Sequence, residues 1–270
     1  MSHADSKFAG SIPALYDRYL GPLIFRPYAA ELAQRLSHLK LGSVLEIAAG
    51  TGILTWELAR RFPHDVSITA TDLNQPMLDF ASAKLHHRRA ITWRQANALD
   101  LPFEDQSFDV VVCQFGVMFF PDKSTAYRQV LRILKPGGLF LFSVWDRLED
   151  NEIPSAVAEG VSSLFPHDPP QFMARTPHGY HDKHLIQRDI SAAGFEKVKA
   201  DTVQLRSHAP SHRDPAIGFC QGSPLRNEIE ARDPDRLDEA TEAAAAAVKA
   251  KFGTGPIDGK IQAFVISANK

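Results

Sequence analysis

Glu46-Ile47-Ala48-Ala49-Gly50-Thr51-Gly52 gathers in one short segment a carboxylate and then a run of small residues at a turn. Small side chains let backbone amides come close to a ligand, and a turn that opens into a helix aims those amides at it. Gly50 and Gly52 begin a G-x-G-x-x-G array, but Thr55 stands at its third glycine position and no lysine follows to make a phosphate-binding loop. A carboxylate at Glu46 repels a pyrophosphate and suits a ligand with ammonium and sulfonium groups. Asp72 lies twenty residues beyond Gly52, where an acid closing a second strand accepts hydrogen bonds from both hydroxyls of a ribose. Such charge-assisted bonds contribute roughly 1.5–3 kcal/mol.

Leu73 and Met77 stand where they would press on an adenine ring, and Ala96-Asn97-Ala98-Leu99 offers a polar side chain to the edge of a base. Asn97 serves equally as a turn stabiliser, and Asp72 as a helix N-cap, a role compatible with ribose binding. Gln114-Phe115-Gly116-Val117-Met118-Phe119-Phe120 is apolar for a surface loop and suits a wall between two ligands. His178, His181 and His184 recur at three-residue spacing near His167, without a supporting cysteine and across Gly179. They read as solvent-facing histidines, and no metal site is expected; one of them acting as a general base over a substrate is the alternative.

Distant turns need a frame to bring them together. Val44-Leu45-Glu46-Ile47-Ala48 is an apolar run of buried-strand type, and a helix follows from Ile53 to about Phe62 before Pro63. Val66 to Thr71, Ile91 to Gln95 and Asp109 to Cys113 read as strands, with Pro76 opening the helix after the first of these. Asp122 to Leu134 is an amphipathic helix, and Lys135-Pro136-Gly137-Gly138 turns the chain into a strand from Leu139 to Trp145. Residues 12–39 look helical, broken at Gly21-Pro22 and at Pro27. Residues 146–178 read as a helix and an ordered loop, Tyr180 to Ala193 as a helix capped by Gly194, and Phe195 to Leu205 as a strand. Residues 214–252 look like two helices, the second rich in alanine, and Lys260 to Ser267 like a last strand after a turn at 254–259. Apolar strands separated by helices imply parallel pairing covered on both faces. The expectation is therefore an α/β fold with a doubly wound, mostly parallel seven-stranded sheet, whose ligands sit beyond the carboxyl ends of the strands.

Composition narrows the class. Of 270 residues, 44% are hydrophobic and 23% charged, as in ordinary globular domains. The net charge of -2 provides no broad basic face, which argues against a nucleic-acid substrate. Cys113 and Cys220 make no disulfide framework. Met1-Ser2-His3-Ala4-Asp5-Ser6-Lys7 has no apolar run of signal-peptide type, and no stretch approaches a membrane span, so a cytoplasmic location is expected.

Four segments in order carry a resemblance: Val44-Leu45-Glu46 with Gly50-Thr51-Gly52, Asp72, the run from Asn97 to Asp109, and Leu131-Arg132-Ile133-Leu134-Lys135-Pro136-Gly137-Gly138. Together they resemble the class I, Rossmann-like S-adenosylmethionine-dependent methyltransferases, most of all those similar to ubiquinone/menaquinone-biosynthesis and other small-molecule enzymes. The similarity covers about residues 40–145. It implies a single domain over 1–270, with a helical cap at 1–40, a cofactor-binding core at 41–145, and substrate-covering insertions at 146–180 and 206–255. It also implies that the first turn holds the methionine part of the cofactor, the position of Asp72 the ribose, and that of Asn97 the adenine amino group. Ala48 replaces a common glycine and Asn97 a common aspartate, which removes charge assistance at the base. The cofactor contacts expected are Tyr16, Glu46, Ala48, Gly50, Gly52, Asp72, Leu73, Met77, Asn97, Ala98, Leu99, Gln114, Phe115 and Gly116. Tyr16 and Tyr19 read otherwise as packing residues.

Methyl transfer from a sulfonium needs alignment and exclusion of water more than a fixed catalytic residue, and none is singled out. No Asn/Asp-Pro-Pro-Tyr motif follows the fourth strand, which argues against nucleic-acid amine methylation. Phe165, Phe172, Tyr180, Phe219 and Leu225 are candidate liners of the acceptor site. The expected partner is a small-molecule methyl acceptor, with the chain a monomer or homodimer. Competing readings are a non-catalytic protein binding S-adenosylmethionine or S-adenosylhomocysteine, and a nicotinamide-dependent oxidoreductase.

Overall fold

A computed structural model describes Asp5, Phe8 and residues 10–39, 42–86 and 90–270. Most of the N-terminal stretch discussed above, Asp5 apart, lies outside the described residues. The strands are β1 (Ser43–Ile47), β2 (Ser67–Asp72), β3 (Ile91–Gln95), β4 (Phe108–Gln114), β5 (Leu134–Trp145), β6 (Glu196–Ala209) and β7 (Ile257–Asn269). They form a seven-stranded sheet in the order β3-β2-β1-β4-β5-β7-β6. The pairs β1–β2, β1–β4, β2–β3 and β4–β5 are parallel. β7 runs against β5, because Gly137 N–H donates to Lys270 and Lys270 N–H to Gly138, while Asp146 N–H donates to Gln262. The sheet is thus α/β and mostly parallel, with mixed order at one side.

The chain divides into two compact units, one of residues 28–144, 180–203 and 263–270, the other of residues 1–27, 145–179 and 204–262. In the first, alternation along the strands sends neighbouring residues to opposite faces. Val110, Val112 and Leu141 join Leu32, Leu36, Leu54 and Leu58 of helices Arg26–Leu36 and Ile53–Arg61 in one apolar cluster. Phe140 and Phe142, the intervening residues of β5, stack on each other at 4.7 Å and meet Tyr127 of helix Lys123–Ile133 at 6.1 Å each. Such ring pairs add about 0.5–1.5 kcal/mol beyond their buried area. In the other unit, Gly160 lets helix Glu152–Leu164 press on the alanine-rich helix Leu237–Phe252, since a Cβ there would come 2.6 Å from the Ala243 carbonyl.

Several sequence expectations are corrected. The helical run from Ile12 to Leu36 is not broken at Gly21-Pro22 or Pro27. Tyr16–Phe25 is wound as a π-helix, in which Arg26 N–H reaches back to the Gly21 carbonyl and Pro22 is accommodated. Lys135-Pro136-Gly137-Gly138 is not a turn before β5 but a bulge within it: Phe108 pairs with Leu134 and Val110 with Leu139. Residues 213–252 form three helices rather than two, Arg213–Gln221, Leu225–Arg232 and Leu237–Phe252, separated at Pro224 and Pro234. β7 starts inside the expected turn, at Ile257.

At the amino-terminal end of the sheet, Asp109 fastens three strands. Its Oδ2 accepts from the amides of Gly42 and Ser43, both at 2.8 Å, and its Oδ1 meets Lys135 Nζ at 2.7 Å. Burial opposes its ionisation, but the Lys135 ammonium and the two amides prevail and hold the carboxyl down at about 2. A carboxyl lowered on folding stabilises fully above its unfolded value near 4, and that stability fades as pH falls toward the folded value. Asp109→Asn is therefore expected to cost about 2 kcal/mol in urea unfolding near neutral pH, with the deficit shrinking below pH 3; a deficit that persists unchanged there would contradict the assignment.

Candidate functional site

The carboxyl ends of β1, β2 and β4 carry the groups read from the sequence. Glu46 is the fourth residue of β1, 1% exposed, and its Oε2 accepts from Thr55 Oγ1 of the following helix at 2.6 Å. Burial pushes its carboxyl up to about 8, the Thr55 hydroxyl offsets part of this, and the neighbouring Asp72 charge adds to it. Asp72 ends β2. Its Oδ2 accepts from Gly50 N–H and its Oδ1 from Asn74 N–H, both at 2.8 Å. Burial raises this carboxyl too, restrained by those two amides. Oδ1 also takes Asn74 Nδ2 at 3.4 Å, whereas Oδ2 holds one amide and keeps a second lone pair, so the turn is braced without exhausting the acceptor capacity.

The backbone of the turn is left-handed at Ala48 (φ 56°), Gly50 (φ 55°) and Gly52 (φ 75°). For alanine this costs roughly 1–2 kcal/mol. Gly52 has a second reason to lack a side chain, since a Cβ would lie 3.1 Å from both Ala81 Cβ and Leu85 Cδ1. At Gly50 a Cβ would meet nothing within 4 Å, so the turn opens onto space there. After β4, Phe115 is also left-handed (φ 52°). Its N–H donates to the Ser143 carbonyl at 3.1 Å, and its ring meets Tyr28 edge-on at 5.2 Å. A Cβ on Gly116 would lie 2.5 Å from Ala48 Cβ and 2.7 Å from Cys113 Sγ. The turns leaving β1 and β4 therefore interlock.

The remaining candidates fall differently. Leu73 is 50% exposed beside Asp72, whereas Met77 is 3% exposed and packed into the interior. Asn97 is exposed and its Oδ1 accepts from Leu99 N–H at 3.0 Å, which makes it a turn stabiliser in this conformation. Ala98 is buried and Leu99 half-buried. Gln114 ends β4 opposite Ser143 of β5. Tyr16, in the other unit, stacks on Phe25 at 4.6 Å; Tyr19 takes Arg18 over its ring. Phe172, Phe219 and Leu225 are buried in that unit, Phe165 lies under Arg236, and Tyr180 donates to Asp189 at 3.0 Å. His178 departs from the solvent-facing expectation: it is 4% exposed, and its Nδ1 donates to the Asp146 carbonyl at 2.7 Å. His184 is exposed. Among the described residues, no group of three His, Cys, Asp or Glu side chains is placed to hold a metal ion, and no helix is long and apolar enough to cross a membrane.

Sequence reasoning missed Thr55 as the partner of Glu46 and Ser143 as the support of Phe115. The i+9 relation across a turn gives Thr55 no recognisable local signal beyond standing where a third glycine would.

Buried carboxyls, an open glycine turn and a parallel sheet whose loops converge at one edge define an α/β domain suited to a cationic nucleoside. Residues 45–142 match the family model of the methyltransferase domain. The chain is 34% identical to a ubiquinone/menaquinone biosynthesis C-methyltransferase of Idiomarina loihiensis, over 57% of this chain and 66% of that protein, just under two thirds of its length. It is 30% identical to the Escherichia coli protein of the same name, over 58% of this chain and 67% of that one. A solved structure of Haemonchus contortus phosphoethanolamine N-methyltransferase 2 in complex with S-adenosyl-L-methionine shares the fold, with a TM-score of 0.61 at 19% identity, covering 96% of this chain and 56% of that one. This chain belongs to the class I S-adenosylmethionine-dependent methyltransferases.

The interlock of the two turns has a measurable consequence. Gly116→Ala is expected to lose about 1–3 kcal/mol through overpacking, whereas Ala48→Gly, which relieves a left-handed alanine, loses little or gains. In the double variant Ala48→Gly should relieve the clash, so that the two effects couple by at least about 0.5 kcal/mol. Strict additivity in chemical denaturation would show that the turns do not press on each other.

Proposed function

We propose that this chain transfers a methyl group from S-adenosylmethionine to a small-molecule acceptor by direct displacement. The observation that carries this reading is the pairing of a buried carboxyl at Glu46, held by the Thr55 hydroxyl, with the open turn at Gly50. The residues present suit the cofactor: space at Gly50, an acceptor at Asp72 Oδ2 and an exposed apolar side chain at Leu73. When bound, the cofactor supplies a methyl already activated on a sulfonium. Glu46, Ala48, Gly50 and Gly52 would hold its amino-acid half, Asp72 its ribose hydroxyls, and Leu73, Asn97, Ala98 and Leu99 its base. Gln114, Phe115 and Gly116 would separate it from the acceptor. The constrained left-handed backbone at Ala48 and Phe115 favours alignment, the main source of rate when the donor is already activated.

In this reading the chain is one catalytic domain on a doubly wound sheet. The insertions at 146–180 and 206–255 would select the acceptor. It would work in the cytoplasm, as monomer or homodimer, without nucleic-acid substrate. The quinone-biosynthesis names of the relatives make a hydroxylated aromatic ring the first acceptor class to try.

Asp72→Ala is expected to weaken cofactor binding at least tenfold, about 1.4 kcal/mol, in calorimetric titration. Unchanged affinity would overturn the ribose assignment. Labelled methyl transfer to small molecules of a cell extract separates an enzyme from a mere binder, which would label nothing.

A further inference from the structure

Glu46 is a carboxyl in an unusual position: 1% exposed, on a strand buried along its length, with the Thr55 hydroxyl as its hydrogen-bond donor. Among the described residues it forms no ion pair. The titratable and charged groups around it are Asp72 at the end of β2, Lys84 on helix Gln75–Leu85 and Cys113 on β4. Asp72 is of like charge, Cys113 is a neutral thiol pushed up to about 12 by burial, and Lys84 is the weakest of the influences named. An unpaired carboxylate in such surroundings is costly, which favours the neutral form.

We propose that Glu46 is the residue by which this site tells the methyl donor from the demethylated product, releasing its proton to solvent when the donor enters and recovering one once the sulfonium charge is gone. The proposal rests on the function proposed above. In the transfer the sulfur–methyl bond breaks, its electron pair stays on sulfur, and the methyl joins the acceptor. The ligand in the site thereby loses one positive charge while keeping its ammonium and carboxylate. An ionised Glu46 attracts the sulfonium and gains nothing from the thioether; a protonated Glu46 distinguishes them far less. Preference for donor over product therefore rises with pH, and product is held most weakly, relative to donor, where the carboxyl is ionised.

Calorimetry on the full chain with S-adenosylmethionine and S-adenosylhomocysteine, from pH 6 to pH 9 and in two buffers of different ionisation enthalpy, tests this. In the wild type the ratio of donor to product affinity should rise roughly tenfold across that range, with proton release on donor binding near neutral pH. In Glu46→Gln the rise and the release attributable to the carboxyl should vanish; the ligand amine titrates in both proteins, so their difference isolates Glu46. Thr55→Val removes a donor that favours the ionised form and should move the midpoint to higher pH. Should Glu46→Gln fail to fold, Thr55→Val decides, and a midpoint unmoved or moved down would overturn the proposal. Both ligands binding with a ratio independent of pH would overturn it while leaving the methyltransferase reading intact. Neither ligand binding would remove that reading and this one together.

Discussion

Where β1 and β4 run out side by side, their backbones come so close that Gly116 has no room for a side chain beside Ala48. Both turns meet there in left-handed conformation, at Ala48 and at Phe115, and residues other than glycine hold such geometry only when the surroundings impose it. The surroundings are specific. Asp72 clamps Gly50 N–H, Ser143 and Tyr28 hold Phe115, and Thr71 Oγ1 ties β2 to the Glu46 carbonyl at 3.0 Å. Strain at the carboxyl edge is thus supported by ordinary hydrogen bonds one layer below. The resulting edge is constrained at the turns that leave β1 and β4.

Two aspartyl and glutamyl environments at opposite ends of the same strands show how position decides chemistry. Asp109 sits at the amino ends, where two amides and the Lys135 ammonium point at it, and it stays ionised down to about pH 2. Glu46 sits at the carboxyl end of β1, sealed from water with a hydroxyl for a partner, and is pushed up to about 8. The first carboxylate fastens the sheet. The second is held at a cost in stability that rises with pH above about 4.5, which is the pattern expected where binding outranks folding.

Much of this was legible in the residues. β1 and β4 are short apolar runs closed by turn residues, and helix Gln75–Leu85 carries its proline in the first turn, so these elements signal themselves locally. Less was legible where partners are distant. Gly137 and Gly138 look like a helix stop, yet they pair with Lys270 more than a hundred residues away and so belong to β5. Pro22 reads as a break because the α-helical register cannot absorb it, whereas a π-helical turn can. At the site, Glu46, Gly50 and Asp72 could be named from spacing; that Asn97 spends its oxygen on its own turn and that Met77 lies in the interior are consequences of packing.

The most direct test of the central claim is an amide footprint of the wild-type chain with and without S-adenosylhomocysteine, by hydrogen exchange or nuclear magnetic resonance. Binding at the carboxyl edge should protect or shift residues 47–52, 72–75, 96–99 and 114–116, and leave the Asp109 end, residues 42–43 and 134–138, unchanged. A response concentrated at the Asp109 end, or none at saturating ligand, would contradict it.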